Sequence, residues 1–263
     1  MNILDRIVIR KKEEVAQAKI DKPINTLEAS SYFSRTPYSF KEFLLSPERT
    51  GIIAEFKRSS PSKGLINGQA SVADVTQGYA AAGASALSVL TDQDFFGGNY
   101  ADLAVARENN EIPVLRKDFI IDEYQIIESK AMGADIILLI AAILSPEQIS
   151  SFATQAKSLG LNVLLEVHSR EELQRSITGN IDAIGVNNRN LGDFSVDIQN
   201  SFNLVSEIPD DVMKISESAI SDPAIIAKLK NAGFNGFLIG ENFMKTDDPA
   251  AAMQRFVSEL RSV

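Results

Sequence analysis

The chain contains no cysteine, which excludes disulfides, thiolate metal sites and cysteine nucleophiles at once. Its single histidine, His168, leaves multi-histidine metal sites and most catalytic triads without their parts. No basic tract offsets a formal net charge of -9, and such a surface field repels a nucleic-acid backbone. No apolar run is long enough to span a bilayer. The start, MNILDRIVIRKKEEVAQAKI, is charged and amphipathic and lacks the apolar run and small-residue cleavage site of a signal peptide. These absences predict a soluble, cytoplasmic protein with neither nucleic acid nor membrane as a partner.

What is present is an ordinary globular composition, 44% hydrophobic and 23% charged over 263 residues, long enough for a large core. Eight short apolar runs read as strands: Gly51 to Lys57, Ala84 to Leu90, Ile112 to Lys117, Ala134 to Ile140, Asn162 to Val167, Asp182 to Asn187, Val212 to Ser216 and Gly236 to Gly240. Amphipathic stretches alternate with them, near Val72 to Ala82, Tyr100 to Glu108, Glu123 to Met132, Pro146 to Leu159, Arg170 to Ser176, Ile198 to Glu207, Pro223 to Ala232 and Pro249 to Leu260. Gly83, Gly133, Gly160 and Gly233 supply helix stops, while Ser145-Pro146 and Asp222-Pro223 supply helix starts. Eight βα units at this length predict a closed (β/α)8 TIM barrel, an α/β fold. The open doubly wound alternative lacks its GxGxxG turn.

The first fifty residues follow another pattern. Leu4, Ile7, Val8, Val15 and Ala18 form an apolar stripe through Lys11, Lys12, Glu13 and Glu14, predicting a helix from about Ile3 to Ala18 that Pro23 does not let continue. A shorter helix is expected around Ser39 to Leu45. Residues 1–263 thus read as a single barrel domain, with 1–50 as a helical cover.

The chemistry concentrates at strand ends, which in a barrel meet on one face. The segment GIIAEFKRSSPSKG breaks an apolar strand with Glu55 and Lys57, which alternation places on the same side, and continues into a loop of hydroxyls with Ser60. Later strands end in Lys117, in Glu166, in Asn187 to Arg189, in Glu217 and Ser218, and in Gly240 and Glu241. One such residue is an ordinary solvated edge; Glu55, Lys57, Lys117 and Glu166 converging on one rim predict a functional site able to hold anionic groups and exchange protons. Ser218 and Gly240 sit in the last two βα turns, where barrels commonly hold phosphate on backbone N–H groups. Phe95-Phe96 and Phe119 read equally as loop packing or as an aromatic wall over an aryl group. His168 reads as a capping or solvated residue outside the site.

The segments IIAEFKRSSPSKG, ALSVLTDQDFFGG, PVLRKDFIIDEYQI, LLEVHSREEL, IGVNNRNL, ISESAI and FLIGENFM, in that order, resemble the indole-3-glycerol-phosphate synthase family of tryptophan biosynthesis. ILDRIVIRKKEEV resembles the extra helix before that family's barrel. The resemblance implies closure of an indole ring: 1-(2-carboxyphenylamino)-1-deoxyribulose 5-phosphate becomes indole-3-glycerol phosphate, losing carbon dioxide and water. It implies no metal or organic cofactor and leaves room for association with other tryptophan-pathway enzymes. By resemblance Lys117 is the acid for ring closure. Glu166, Lys57 and Glu55 share the dehydration in roles the sequence does not divide, and Asn187 orients the substrate. Ser60, Arg189, Glu217, Ser218, Gly240 and Glu241 would bind it, with Phe96 and Phe119 in the anthranilate pocket.

Two rival readings conflict with the residues present. Phosphoribosylanthranilate isomerase resembles a cysteine-plus-aspartate design, which this chain cannot supply. A non-catalytic barrel binding a phosphorylated ligand gives no reason for the Lys117 and Glu166 pair. One departure from the family pattern is Glu217-Ser218-Ala219, where glycine is usual at the third place. If that position needs a positive φ, alanine is expected to shift the turn.

Overall fold

The structure is a computed structural model describing residues 2–190 and 195–262; Leu191, the last residue of the IGVNNRNL segment, falls outside them. Eight strands run in parallel: β1 (Ile52–Phe56), β2 (Ala86–Leu90), β3 (Val114–Lys117), β4 (Ile136–Ile140), β5 (Asn162–Val167), β6 (Ala183–Asn187), β7 (Met213–Glu217) and β8 (Gly236–Ile239). Each pairs with its neighbours in sequence, and β8 returns to pair with β1, so the barrel is closed. Every expected strand is present; six of the eight begin a residue or two later than expected, and β7 runs one residue further, to Glu217.

The helices are α1 (Ile3–Asp21), α2 (Ile24–Glu28), α3 (Phe40–Leu45), α4 (Val72–Ala81), α5 (Tyr100–Glu108), α6 (Glu123–Ala131), α7 (Pro146–Ser158), α8 (Arg170–Ser176), α9 (Gln199–Leu204), α10 (Pro223–Ala232), α11 (Glu241–Met244) and α12 (Pro249–Leu260). The punctuation works as read. Ser145 and Gln148 close a capping box at the head of α7, and Gly233 ends α10 in the left-handed region at φ 110. The stretch expected as one helix to Glu207 divides, its last three residues tightening into a 3-10 turn, Val205–Glu207. Two short helices, α2 and α11, and a two-residue hairpin pairing Ser59–Ser60 with Gly64–Leu65 were not foreseen, being too short to carry a period.

Alternation along the strands divides the interior in two. Ile52, Ala54 and Phe56 face the helices in one apolar cluster, whereas Ile53 points into the barrel with Ala86, Leu115, Leu138, Leu164, Ile215 and Leu238. The lower barrel is therefore an apolar plug. Phe40 and Leu44 of α3 join that cluster, and Leu44 packs so closely on Gly236 that a Cβ there would lie 2.9 Å from it. One step further along the inward positions stand Glu55, Lys117, Glu166, Asn187 and Glu217. The sequence register that buries the plug is the one that gathers the charges above it.

Helix α1 follows its stripe, burying Ile7 and Val15, but with Lys11 between them at the same helical face. It is tethered to α6 by the Tyr124 hydroxyl, which donates to the carbonyls of Ala18 and Lys22. Among the described residues no helix is long and apolar enough to cross a membrane.

Candidate active site

The strand ends and their loops enclose a pocket of about 790 Å³, mouth included. Twelve of the thirteen residues singled out in the sequence line it: Glu55, Lys57, Ser60, Phe96, Lys117, Phe119, Glu166, Asn187, Arg189, Glu217, Ser218 and Glu241. Gly240 lines an adjoining cavity that shares Lys57, Arg189, Ser218 and Glu241 and adds Lys63 and Lys245.

Two ammonium–carboxylate pairs stand in the pocket. Lys117 Nζ lies 2.7 Å from Glu166 Oε2 and 3.5 Å from Glu217 Oε2. Lys57 Nζ lies 2.9 Å from Glu55 Oε1, as the same-side reading of that strand requires. Glu55 also accepts from the Ser88 hydroxyl, its register partner on β2, at 3.4 Å. Asn187 binds both halves of the rim. Its Nδ2 donates to Glu166 Oε1 at 3.2 Å, and its Oδ1 accepts from the Ser218 hydroxyl and the Arg189 N–H, each at 3.0 Å.

Burial and mutual charge set the proton affinities. Burial disfavours the Lys117 ammonium, but Glu166, Glu217 and Glu55 outweigh it and hold its pKa above the usual lysine range. Glu166 is pushed up by burial and pulled further down by Lys117, His168 and Asn187, so it stays a carboxylate. Glu217 is pushed up to about 7, by burial first and by Glu166 and Glu55, against the pull of Lys117. One site thus holds an ionised and a protonatable carboxyl beside the same ammonium, the arrangement acid–base chemistry near neutral pH needs.

Part of the lining is apolar. Phe96 and Phe119 meet at 5.8 Å between ring centroids, tilted by 37°, and Leu90, Leu138 and Ile140 complete that part. Phe96 and Phe119 line the pocket and at the same time pack on the inner apolar cluster. Phe95 packs on that cluster too but does not line the pocket.

Several neighbours escaped the sequence reading. His168 does not cap α8, a place taken by Ser169, and its side chain is half-buried at 13% exposure, with Nε2 3.3 Å from Glu166 Oε1 and Nδ1 3.4 Å from Glu172 Oε2. Burial lowers its pKa, but Glu172 and Glu166 raise it by more. Gly185 leaves the room that Glu217 fills, since a Cβ there would come within 2.0 Å of Oε1. Leu138 and Ile140 were visible as alternate positions of a strand, but nothing in their type marks a pocket. In the seventh turn Ser218 and Ala219 both hold positive φ, 67 and 62.

The family model described as indole-3-glycerol phosphate synthase matches residues 4–256. The chain belongs to that family. It is 49% identical over 260 residues to the indole-3-glycerol phosphate synthase of Bacteroides thetaiotaomicron, covering 99% of both chains. It is 43% identical over 257 residues to that of Burkholderia vietnamiensis, covering 97% of this chain and 98% of the relative. A solved structure described as native KDPGal superposes with a TM-score of 0.57 at 14% identity, covering 81% of this chain and 93% of that one. That likeness speaks for the barrel alone.

Proposed function

We propose that this pocket closes the indole ring of indole-3-glycerol phosphate, as a carbon–carbon (carboxy-) lyase of tryptophan biosynthesis in the cytoplasm. The observation that carries the reading is the presence of two separate ammonium–carboxylate pairs, Lys117 with Glu166 and Lys57 with Glu55, lining one pocket together with the Phe96–Phe119 contact. The reaction has two steps that each need an acid.

In the first, the aryl carbon bearing the carboxylate attacks the ribulose carbonyl, and Lys117 protonates the carbonyl oxygen as the new bond forms. Glu166 keeps that ammonium charged and aimed. Loss of carbon dioxide returns the bonding electrons to the ring and restores its aromaticity. In the second, Lys57 protonates the departing hydroxyl while Glu55 takes the proton from the carbon next to nitrogen, which leaves water and the indole double bond. Asn187 and Ser218 orient the glycerol hydroxyls. Phosphate sits at the adjoining cavity, near Gly240, with Arg189 and Lys63 supplying charge. Ser60 and Glu241 cover the substrate from the rim, and Glu217 in its protonated form donates a hydrogen bond beside Lys117.

The test is to supply purified protein with 1-(2-carboxyphenylamino)-1-deoxyribulose 5-phosphate and follow indole fluorescence. Turnover is expected from the wild type; its absence from folded protein would sink the reading.

A further inference from the structure

Lys11 is a charged residue in the buried stripe of a helix that lies outside the barrel. It is 1% exposed, and its Nζ stands 2.9 Å from Asp118 Oδ1, 3.0 Å from Asp92 Oδ2 and 2.7 Å from Glu14 Oε2. Both aspartates are fully buried. A lysine sealed in this way costs desolvation free energy that a solvated surface lysine avoids, so its place calls for an account.

The two aspartates are loop organisers. Asp92, in the loop after β2, accepts the Phe95 N–H on Oδ1 at 2.9 Å, and its carbonyl accepts the Gly98 N–H at 2.7 Å. It therefore fixes both ends of the turn that carries Phe96. Asp118, just after Lys117, accepts its neighbour's N–H, that of Phe119, on Oδ1 at 2.8 Å. Its Oδ2 accepts from Thr91 and Arg116. Lys11 is the cation between these two loops, and Arg10 reinforces it with an ion pair to Asp94 at 2.6 Å. Without the ammonium, two buried carboxylates would face each other across the gap and drive the loops apart.

We propose that Lys11 is a positioning residue for the aryl end of the pocket, acting through Asp92 and Asp118 to hold Phe96 against Phe119. The helix before the barrel then sets the width of an aromatic slot it does not itself line. This rests on the reading of that slot as the anthranilate site. The phosphate end, built from the opposite side of the rim, is outside the reach of Lys11.

The experiment measures binding of two probes, anthranilate and inorganic phosphate, by calorimetry. The main variant is Lys11→Met with Asp92→Asn, which removes the cation together with the carboxylate it would leave unpaired. The Asp92→Asn single variant, in which Lys11 keeps Asp118 and Glu14, guards against a folding failure of the first. Anthranilate affinity is expected to fall at least fivefold in the double variant and at least threefold in the single one, with phosphate affinity unchanged within twofold. Wild-type anthranilate affinity in the variants, an equal loss of both probes, or no saturable anthranilate binding by the wild type would each overturn the proposal. Turnover of the wild type on the aryl ribulose phosphate, measured alongside, judges the ring-closing reading separately.

Discussion

The ammonium of Lys117 lies 2.7 Å from Glu166 Oε2, although the two side chains come from β3 and β5 and the register partner of Glu166 is Ile140 of the intervening β4. Lys117 therefore enters the reaction charged and fixed in direction. Lys117→Ala is expected to lower kcat by about 100- to 10,000-fold, the range for loss of a positioned acid. Glu166→Gln keeps the shape but weakens the aim, and a smaller loss is expected. Steady-state kinetics on the aryl ribulose phosphate, with circular dichroism to certify folding, checks both.

Much of this arrangement was legible in the sequence, and for a physical reason. Glu55, Lys57, Lys117 and Glu166 interrupt apolar runs, and a charge at an inward strand position has nowhere to go except the barrel mouth. What was not legible depends on contacts between distant segments. Lys11 has the spacing of the stripe around it but the chemistry of a solvated face, and only Asp92 and Asp118 resolve the conflict. Gly185 looks like any strand glycine until Glu217 is seen against it. His168 sits two residues from Glu166 in a turn, where direction cannot be read from spacing.

Glu217 gives the protein a pH signature. Its pKa rises from 4.5 to about 7 on folding, so between those values the folded state binds more protons than the unfolded one. Stability attributable to this carboxyl therefore falls as pH rises through that window and is level above it. Urea unfolding of the wild type and Glu217→Gln from pH 5 to 8 is expected to show their stability difference moving in the variant's favour as pH rises. A difference independent of pH would contradict the assignment.

Gly185→Ala tests the packing that holds Glu217. The added Cβ would fall 2.0 Å from Oε1, and a buried carboxylate cannot remain there. Displacing Glu217 disturbs Lys117 as well, so kcat is expected to drop about tenfold or more with a native circular dichroism spectrum. Wild-type kcat in the variant would show that Glu217 is free to move without consequence.

Ala219 holds φ 62, a conformation that costs a residue with a Cβ roughly 1–2 kcal/mol and glycine almost nothing. Greater unfolded-state freedom of glycine offsets part of that. Ala219→Gly is therefore expected to stabilise by about 0.5–1 kcal/mol, read from the urea midpoint. A destabilised variant would mean that the alanine methyl makes contacts worth more than the strain.

The central claim is the division of labour between the two ammonium–carboxylate pairs, and it can be read in a single turnover. Substrate labelled in its carboxyl group reports carbon dioxide release, while indole fluorescence reports dehydration. Lys57→Arg and Lys117→Arg each retain a cation but remove a usable proton donor. Lys117→Arg is expected to suppress both signals together, and Lys57→Arg to release carbon dioxide well ahead of any indole. Carbon dioxide loss stopped as completely in Lys57→Arg as in Lys117→Arg, or proceeding at the wild-type rate in Lys117→Arg, would contradict the account.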